Sequence, residues 1–298
     1  MDTPFVSVVI PTLNREIILT QTLEYLKSQI YKNFEIVIID QSDIVSNKFK
    51  EYIKSYNNCE LIYVKIKEKG LPNARNVGIG HSNGEFLLFL DDDIKPSNNI
   101  IHYHIKAHIE NDVCGVCGPI IEGKQHGFIR KSRKIGTINI FGRTNQNRMW
   151  PHKITVDSAF GGNMSFKRED LNRSNLRFDK NFIGNAQMEE SDFSYRLRKF
   201  TKKSILYEPK ASLLHFPQPS GNFGLLLSNQ EKYYYTYFHN FTLFSLKNLP
   251  RWQLLFSIPF HFLIAVKRGL IIKKSTHSFI QMVLGFKVGY DCYKKNYY

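Results

Sequence analysis

Cysteine is scarce in this chain. The four present, Cys59, Cys114, Cys117 and Cys292, are too few and too scattered for a disulfide framework, and a reducing compartment is expected. Cys114-Gly115-Val116-Cys117 has zinc or redox spacing, yet no second pair accompanies it and Val113 and Val116 flank it, so a buried structural role is expected. Met1-Asp2-Thr3-Pro4-Phe5 has no basic leader and no cleavage pattern, which argues against a signal peptide and for a cytoplasmic protein. Long apolar runs are missing too: the longest, Leu254 to Val266, is too short to span a bilayer and contains Pro259 and His261. The first strand-to-helix turn lacks G-x-G-x-x-G, which argues against a dehydrogenase-type dinucleotide fold. Acids are the remaining shortage. The chain has 26 Asp and Glu against 41 Lys and Arg, a formal charge of +15, and the only acid beyond Lys247 is Asp291. An excess concentrated at one end points to a localised anionic surface. Nucleic acid is not the expected partner, because the aromatics cluster in apolar runs rather than interleaving with the basic residues.

What is present is a globular composition, 42% hydrophobic and 22% charged over 298 residues, enough for one large α/β domain with an appendage or for two small domains. Phe86-Leu87-Leu88-Phe89-Leu90 reads as a strand buried on both faces. It ends on Asp91-Asp92-Asp93. In open α/β sheets ligands bind beyond the carboxyl ends of the strands, and adjacent carboxylates there suit a hard divalent ion with room for phosphate. An acidic turn, with Asp93 capping the next segment, is the plain alternative. Phe5 to Ile10, closed by Pro11, and Glu35 to Ile39, ending at Asp40, read as two more strands. Asp40 is a second acid at a strand end, or an Asx turn into Gln41-Ser42-Asp43. Helical spacing over Ile17–Gln29 and Phe49–Tyr56, with a third strand at Leu61–Val64, completes a βαβαβ alternation that implies a doubly wound, mostly parallel half-domain. Gly70-Leu71-Pro72-Asn73-Ala74-Arg75 opens a helix whose N-terminus faces the sheet edge, making Arg75 a candidate phosphate or carboxylate partner, a surface arginine on that helix being the commoner alternative.

Further on, Ile100–Ile109 reads as helix and Gly115–Ile121 as strand. Gly123–Pro151 is long, basic and aromatic without period, which suits a mobile flap whose Trp150 and cations meet an acceptor, or equally a solvated insertion. Gly161-Gly162 precedes a short strand and allows close backbone approach. Glu189-Glu190-Ser191-Asp192-Phe193 starts a helix in which Asp192 pairs with Arg196 at i,i+4; the helix dipole keeps its first-turn glutamates ionised, which suits a base and is equally the ordinary composition of a helix start. Two short β runs lead to His215 and a turn at Pro217 and Pro219. The remainder, with Tyr233 to Phe238, Trp252 to Val266 and Leu270 to Ile272, is aromatic and apolar between basic residues. It suits an in-plane membrane anchor over 250–298, or a helical cap packed on the domain or on a second copy of the chain.

Together these motifs resemble the family 2 glycosyltransferases with the GT-A fold. The similarity lies in Ser7-Val8-Val9-Ile10-Pro11-Thr12-Leu13-Asn14-Arg15 (opening strand and nucleotide loop), Asp40 (uracil-contacting acid), Gly70 to Ile79, Asp91-Asp92-Asp93 (the DxD metal motif), Gly162-Asn163-Met164, and Glu189 to Arg196. It covers about residues 5 to 216. The resemblance implies an inverting transfer from a nucleotide-diphosphate sugar, a UDP-sugar being favoured, to a glycan or lipid-linked hydroxyl in cell-surface polysaccharide synthesis. It implies Mg²⁺ or Mn²⁺ held by Asp93, Asp91 and His215. Donor contacts are expected from Pro11, Thr12, Asn14, Arg15, Asp40, Arg75, Asp91 and Asp92, and general-base catalysis from Glu190. The family usually has Asp at that last position, and the register could slide to Glu189. Gln-x-x-Arg-Trp, typical of processive synthases, is missing, since Pro250-Arg251-Trp252 has no Gln three residues before Arg251; addition of a single sugar is expected.

The expected layout is a catalytic domain over 1–216, divided into a nucleotide half (1–95) and an acceptor half (96–216), followed by a basic, aromatic helical region over 217–298 that could touch the cytoplasmic membrane face. Homo-oligomers are compatible with this layout. The rival readings are an inactive homologue that only binds nucleotide, and, less favoured, a nucleic-acid-binding protein.

Overall fold

A computed structural model describes residues 3–122, 134–145, 149–216, 228–267 and 276–297. The β-rich runs of the first ninety residues form strands β1 (Val6–Thr12), β2 (Phe34–Asp40), β3 (Glu60–Lys65) and β4 (Phe86–Leu90). Every residue of β1, β2 and β4 is buried, as their predominance of Val, Ile, Leu and Phe requires of strands covered on both faces, and the buried Ser7 and Glu35 are satisfied by a hydrogen bond from Ser7 Oγ to Glu35 Oε1 at 2.6 Å. Helices α1 (Glu16–Leu26), α2 (Asn47–Ser55) and α3 (Leu71–His81) make the crossovers, and β1 to β4 run parallel. The sheet continues through β9 (Asn163–Lys167), β6 (Val113–Cys117), β10 (Ser204–Tyr207) and β8 (Ile154–Val156), in the order β3-β2-β1-β4-β9-β6-β10-β8. Strand β9 is antiparallel to both β4 and β6, and β8 is antiparallel to β10. Helices α4 (Ile100–Glu110), α5 (Arg168–Ser174) and α6 (Glu189–Thr201) complete the layers.

The expected strand over 115–121 is divided. Strand β6 ends at Cys117, and Gly118-Pro119 turns the chain into β7 (Ile120–Glu122). Strand β7 leaves the main sheet for a small one, β5-β11-β7, with β5 at Ile94–Pro96 and β11 at Leu213–His215. Proline cannot donate to a ladder, so the break falls at Pro119. This small sheet lies next to the end of β4 in sequence and sets His215 opposite Ile94. Cys114 and Cys117 are both buried in β6, and burial raises both thiols.

A polar network lies inside this junction. His104 Nδ1 meets Ser165 Oγ at 2.8 Å and its Nε2 meets Asn163 Oδ1 at 2.8 Å, while His108 Nε2 reaches Ser165 Oγ at 3.0 Å. Asn163 Nδ2 in turn donates to the carbonyls of Pro119 and Ala211, tying β9 to the turns that lead into β7 and β11. Burial lowers the His104 imidazole to about 4 and that of His108 well below its usual range. A histidine depressed in the folded state stabilises fully above its unfolded value near 6.5, and that stability is lost as pH falls toward the folded value. For His104 the loss between pH 7 and pH 5 is about 2 kcal/mol. Urea midpoints should therefore fall more steeply over this interval in the wild type than in His104→Gln; equal slopes would refute the neutral buried pair.

Among the described residues the C-terminal part forms three helices, α7 (Gln230–Asn248), α8 (Arg251–Val266) and α9 (Thr276–Tyr297). Helices α7 and α9 pack at close range because Gly285 and Gly289 face α7: a Cβ on either would lie 2.4 Å from the Tyr235 carbonyl oxygen or 2.6 Å from that of His239. Lys247 of α7 holds this unit to the sheet domain. Its Nζ lies 2.9 Å from Asp192 of α6 and also pairs with Asp179, which accepts from Tyr297 of α9. The expected turn at Pro217 and Pro219 and the apolar run Leu270–Ile272 lie outside the described residues.

Candidate functional site

The parallel strands β1, β2 and β4 all end at one edge, and the acids gather there. Thr12 is in register with Asp40. Asp40 forms the Asx turn, accepting from the Ser42 amide at 2.8 Å, and its other oxygen accepts from the Tyr63 hydroxyl at 2.5 Å. Asn14 is exposed with φ 55°, and its amide donates to Ser42 Oγ at 2.7 Å, so the first loop lies against the second. Pro11 and Thr12 are buried at the end of β1.

The three aspartates after β4 occupy different surroundings. Asp92 points inward, accepting from Thr12 Oγ1 at 2.6 Å and pairing with Arg15 at 2.8 Å. Burial pushes its carboxyl up to about 6, with the Arg15 charge opposing. Asp93 shares the same Arg15 nitrogen at 3.0 Å and meets His215 Nε2 at 3.1 Å through its other oxygen. Asp91 is the accessible member, its side chain 36% exposed against 5% for Asp93. Side-chain ligand atoms of Asp91, Asp93 and His215 all lie within 4.8 Å of one another. Two carboxylates and an imidazole are hard-to-borderline donors that suit Mg²⁺ or Mn²⁺.

Arg75 organises the other half of the site. It is buried, with its NH2 donating to the Gly161 carbonyl at 2.6 Å, its guanidinium 5.5 Å over the Phe178 ring, and its NH1 in an ion pair with Glu189. Burial lowers the guanidinium, and the charges of Asp91 and Glu190 oppose that. Asp91 and Glu190 thus lie in the field of one side chain. Gly162 lies so close that a Cβ there would fall 2.3 Å from Asp91 Oδ2. Glu189 is 1% exposed, whereas Glu190 is only half-buried. Two guanidiniums, Arg15 and Arg75, face five carboxylates, Asp91, Asp92, Asp93, Glu189 and Glu190. The edge is electronegative in a chain of +15.

The structure therefore brings Asp40, the Asp91 cluster, His215, Arg75 and the start of α6 to one edge. It also supplies contacts with no local signal in the sequence. Asn248 stands where a processive synthase pattern would have Gln, and it donates to Asp192 at 2.9 Å. Asp192 also pairs with Arg196, as the i,i+4 spacing indicates, but its partners on α7 are some 55 positions away, beyond any periodicity argument. The described part of the expected flap, 134–145 and 149–151, is held at several points. Ile138 bridges Thr144, Thr144 Oγ1 meets Ser191 Oγ at 3.1 Å beside Glu190, and the Trp150 amide donates to the Tyr207 hydroxyl. Residues 123–133 and 146–148 of that stretch lie outside the described residues.

Comparison with known proteins agrees with this geometry. Residues 7–173 match the model of Glycosyl transferase family 2. Minor teichoic acid biosynthesis protein GgaB of Bacillus subtilis (strain 168) is 26% identical over 186 residues, covering 59% of this chain but only 19% of that protein, so the chain spans about a fifth of its length. Among solved structures, S. aureus TarS 1-349 in complex with UDP-GlcNAc superposes with a TM-score of 0.67 at 15% identity, over 94% of this chain and 79% of that one. GalNAc-T7 with UDP, GalNAc and Mn²⁺ gives 0.68 at 18% identity, over 98% of this chain and 58% of that one. At these identities the two structures establish the fold, a mostly parallel GT-A-type sheet with a C-terminal helical region. With more than half its length matched by the family model and its acids gathered at the strand ends, the chain belongs to glycosyltransferase family 2.

Proposed function

We propose that this glycosyltransferase moves one sugar from a nucleotide-diphosphate sugar to a hydroxyl of a glycan or lipid-linked acceptor, with inversion, in cell-surface polysaccharide synthesis. The observation that carries the reading is the convergence of Asp91, Asp93 and His215 within 4.8 Å at the edge that also holds Glu190. A divalent ion bound there, Mg²⁺ or Mn²⁺, would offset charge developing on the diphosphate leaving group. Pro11, Thr12, Asn14 and Asp40 take the nucleoside. Arg15 and Asp92 hold Asp93 and the first loop in place, and Arg75 sets Asp91 against the start of α6.

Glu190 is the base. The acceptor oxygen bonds to the anomeric carbon as the bond from that carbon to the diphosphate breaks, and the hydroxyl proton passes to the Glu190 carboxylate. Glu189 is the weaker candidate, because its ion pair with Arg75 stabilises the carboxylate and burial closes it to an acceptor. Uridine is the favoured base, in keeping with the UDP compounds named in the TarS and GalNAc-T7 structures. Residues 1–95 form the nucleotide half, 96–216 the acceptor half and 217–298 the helical region. The free thiols accord with a cytoplasmic site of action.

The test is release of nucleoside diphosphate from a panel of UDP-, dTDP- and GDP-sugars, with Mn²⁺ or with EDTA. Release from a UDP-sugar that EDTA stops and Mn²⁺ or Mg²⁺ restores is expected. Nucleotide binding without turnover of any donor would favour an inactive homologue.

A further inference from the structure

Helix α8 is built inside out. Its buried positions are Gln253, Ser257, His261 and Ala265, at spacings of four. Gln253 donates to the Asn139 carbonyl at 2.8 Å, and His261 accepts or donates toward Tyr237 and stacks on Phe241. Its outward stripe is apolar: Trp252, Leu255, Phe256, Phe262 and Leu263 are 45% to 73% exposed, and Pro259 is exposed between them. These positions recur at i, i+3, i+4, i+7, i+10 and i+11, the pattern of a single helix face. Phe262 meets Phe279 of α9 edge to face at 6.1 Å, and α9 adds exposed Ile280, Val283 and Leu284. A water-facing helix would have the opposite polarity, and a contiguous apolar face of this kind marks a binding surface.

Charge selects the occupant. Beyond Lys247 the chain has eight Lys and Arg, Arg251, Lys267, Arg268, Lys273, Lys274, Lys287, Lys294 and Lys295, against the single acid Asp291. Arg251 and Lys267 stand exposed at the two ends of α8, and Lys287 is exposed on α9. A second copy of the chain would bring two such basic surfaces together, whereas an anionic bilayer complements both the charge and the apolar stripe. Among the described residues no helix is long and apolar enough to cross a membrane. We infer that the outward face of α8, extended by Ile280, Val283 and Leu284 of α9, lies in the interface of an anionic lipid bilayer. The inference deepens the reading of a membrane-proximal acceptor, and it stands or falls without the donor chemistry.

The full chain should sediment with vesicles containing about one-third phosphatidylglycerol and bind pure phosphatidylcholine at least tenfold less, with the difference shrinking as salt rises. The double variant Leu255→Glu, Leu263→Glu should lose binding to anionic vesicles tenfold or more while keeping the wild-type circular dichroism. If that variant misfolds, a Trp150→Phe background leaves Trp252 as the only tryptophan, whose emission should shift to the blue on anionic vesicles. Equal binding to both vesicle types, an unshifted Trp252, or a wild-type dimer that the glutamates split without any vesicle binding would overturn the inference. Nucleotide affinity of the double variant, measured by titration with UDP, separates failure of this face from failure of the catalytic reading.

Discussion

Glu190→Gln should lower kcat by about 10²–10⁴-fold, the usual worth of a positioned base, while nucleotide affinity and thermal stability stay near wild type. The expectation follows from the unlike surroundings of two adjacent glutamates. Glu190 is half-buried at the start of α6, beside the segment that Thr144 ties to Ser191. Glu189 is enclosed with Arg75, which also holds the Gly161 carbonyl. Removing one partner from a buried ion pair leaves an uncompensated charge, so Glu189→Gln should cost about 3–5 kcal/mol of stability. Single-turnover rates and denaturation midpoints of the two variants test the assignment together. A stable, inactive Glu189→Gln beside a fully active Glu190→Gln would move the base by one residue.

On the proposed metal-assisted reaction, Asp93→Ala should abolish the response of nucleotide binding to Mn²⁺ and lower turnover by about 10³-fold or more, since several kcal/mol of leaving-group stabilisation would come from the ion and each 1.4 kcal/mol is tenfold. Asp93 is the aspartate that links Arg15 to His215, so its loss would remove one of the proposed metal ligands and loosen another. Arg15 retains Asp92 at 2.8 Å, which should keep the first loop folded. Calorimetric titration with UDP, with and without Mn²⁺, measures the effect. Wild-type affinity with an intact Mn²⁺ response would place the cation elsewhere.

Much of this architecture was legible before any coordinates. The buried run Phe86–Leu90 ending on three acids, the two earlier strands with their crossover helices and the helix start at Glu189 all rest on local pattern and appear within a few residues of where it puts them. The exception is that β1 does not stop at Pro11: it continues to Thr12 against β2, and its pairing with β4 has already ended at Val9, so the missing proline N–H breaks no ladder. The break at Gly118-Pro119 was written in the sequence as well, but the apolar residues on either side read as one strand. Other features carry no local signature. The Arg75 pair with Glu189 spans more than a hundred positions, and Lys247 reaches both Asp179 and Asp192 from a helix whose sequence predicts only that it is basic and aromatic.

Sequence alone thus determined the succession of strands and crossover helices in the first half, the acids at the strand ends and the family resemblance, because backbone propensity, hydrophobic period and short motifs act over a few residues. Tertiary structure decided which of two neighbouring glutamates is enclosed and which is accessible, and which acids share a single arginine. It also decided that α8 turns its polar side inward. Those outcomes depend on burial and on partners distant in the chain, and a residue's own neighbours in sequence do not set either.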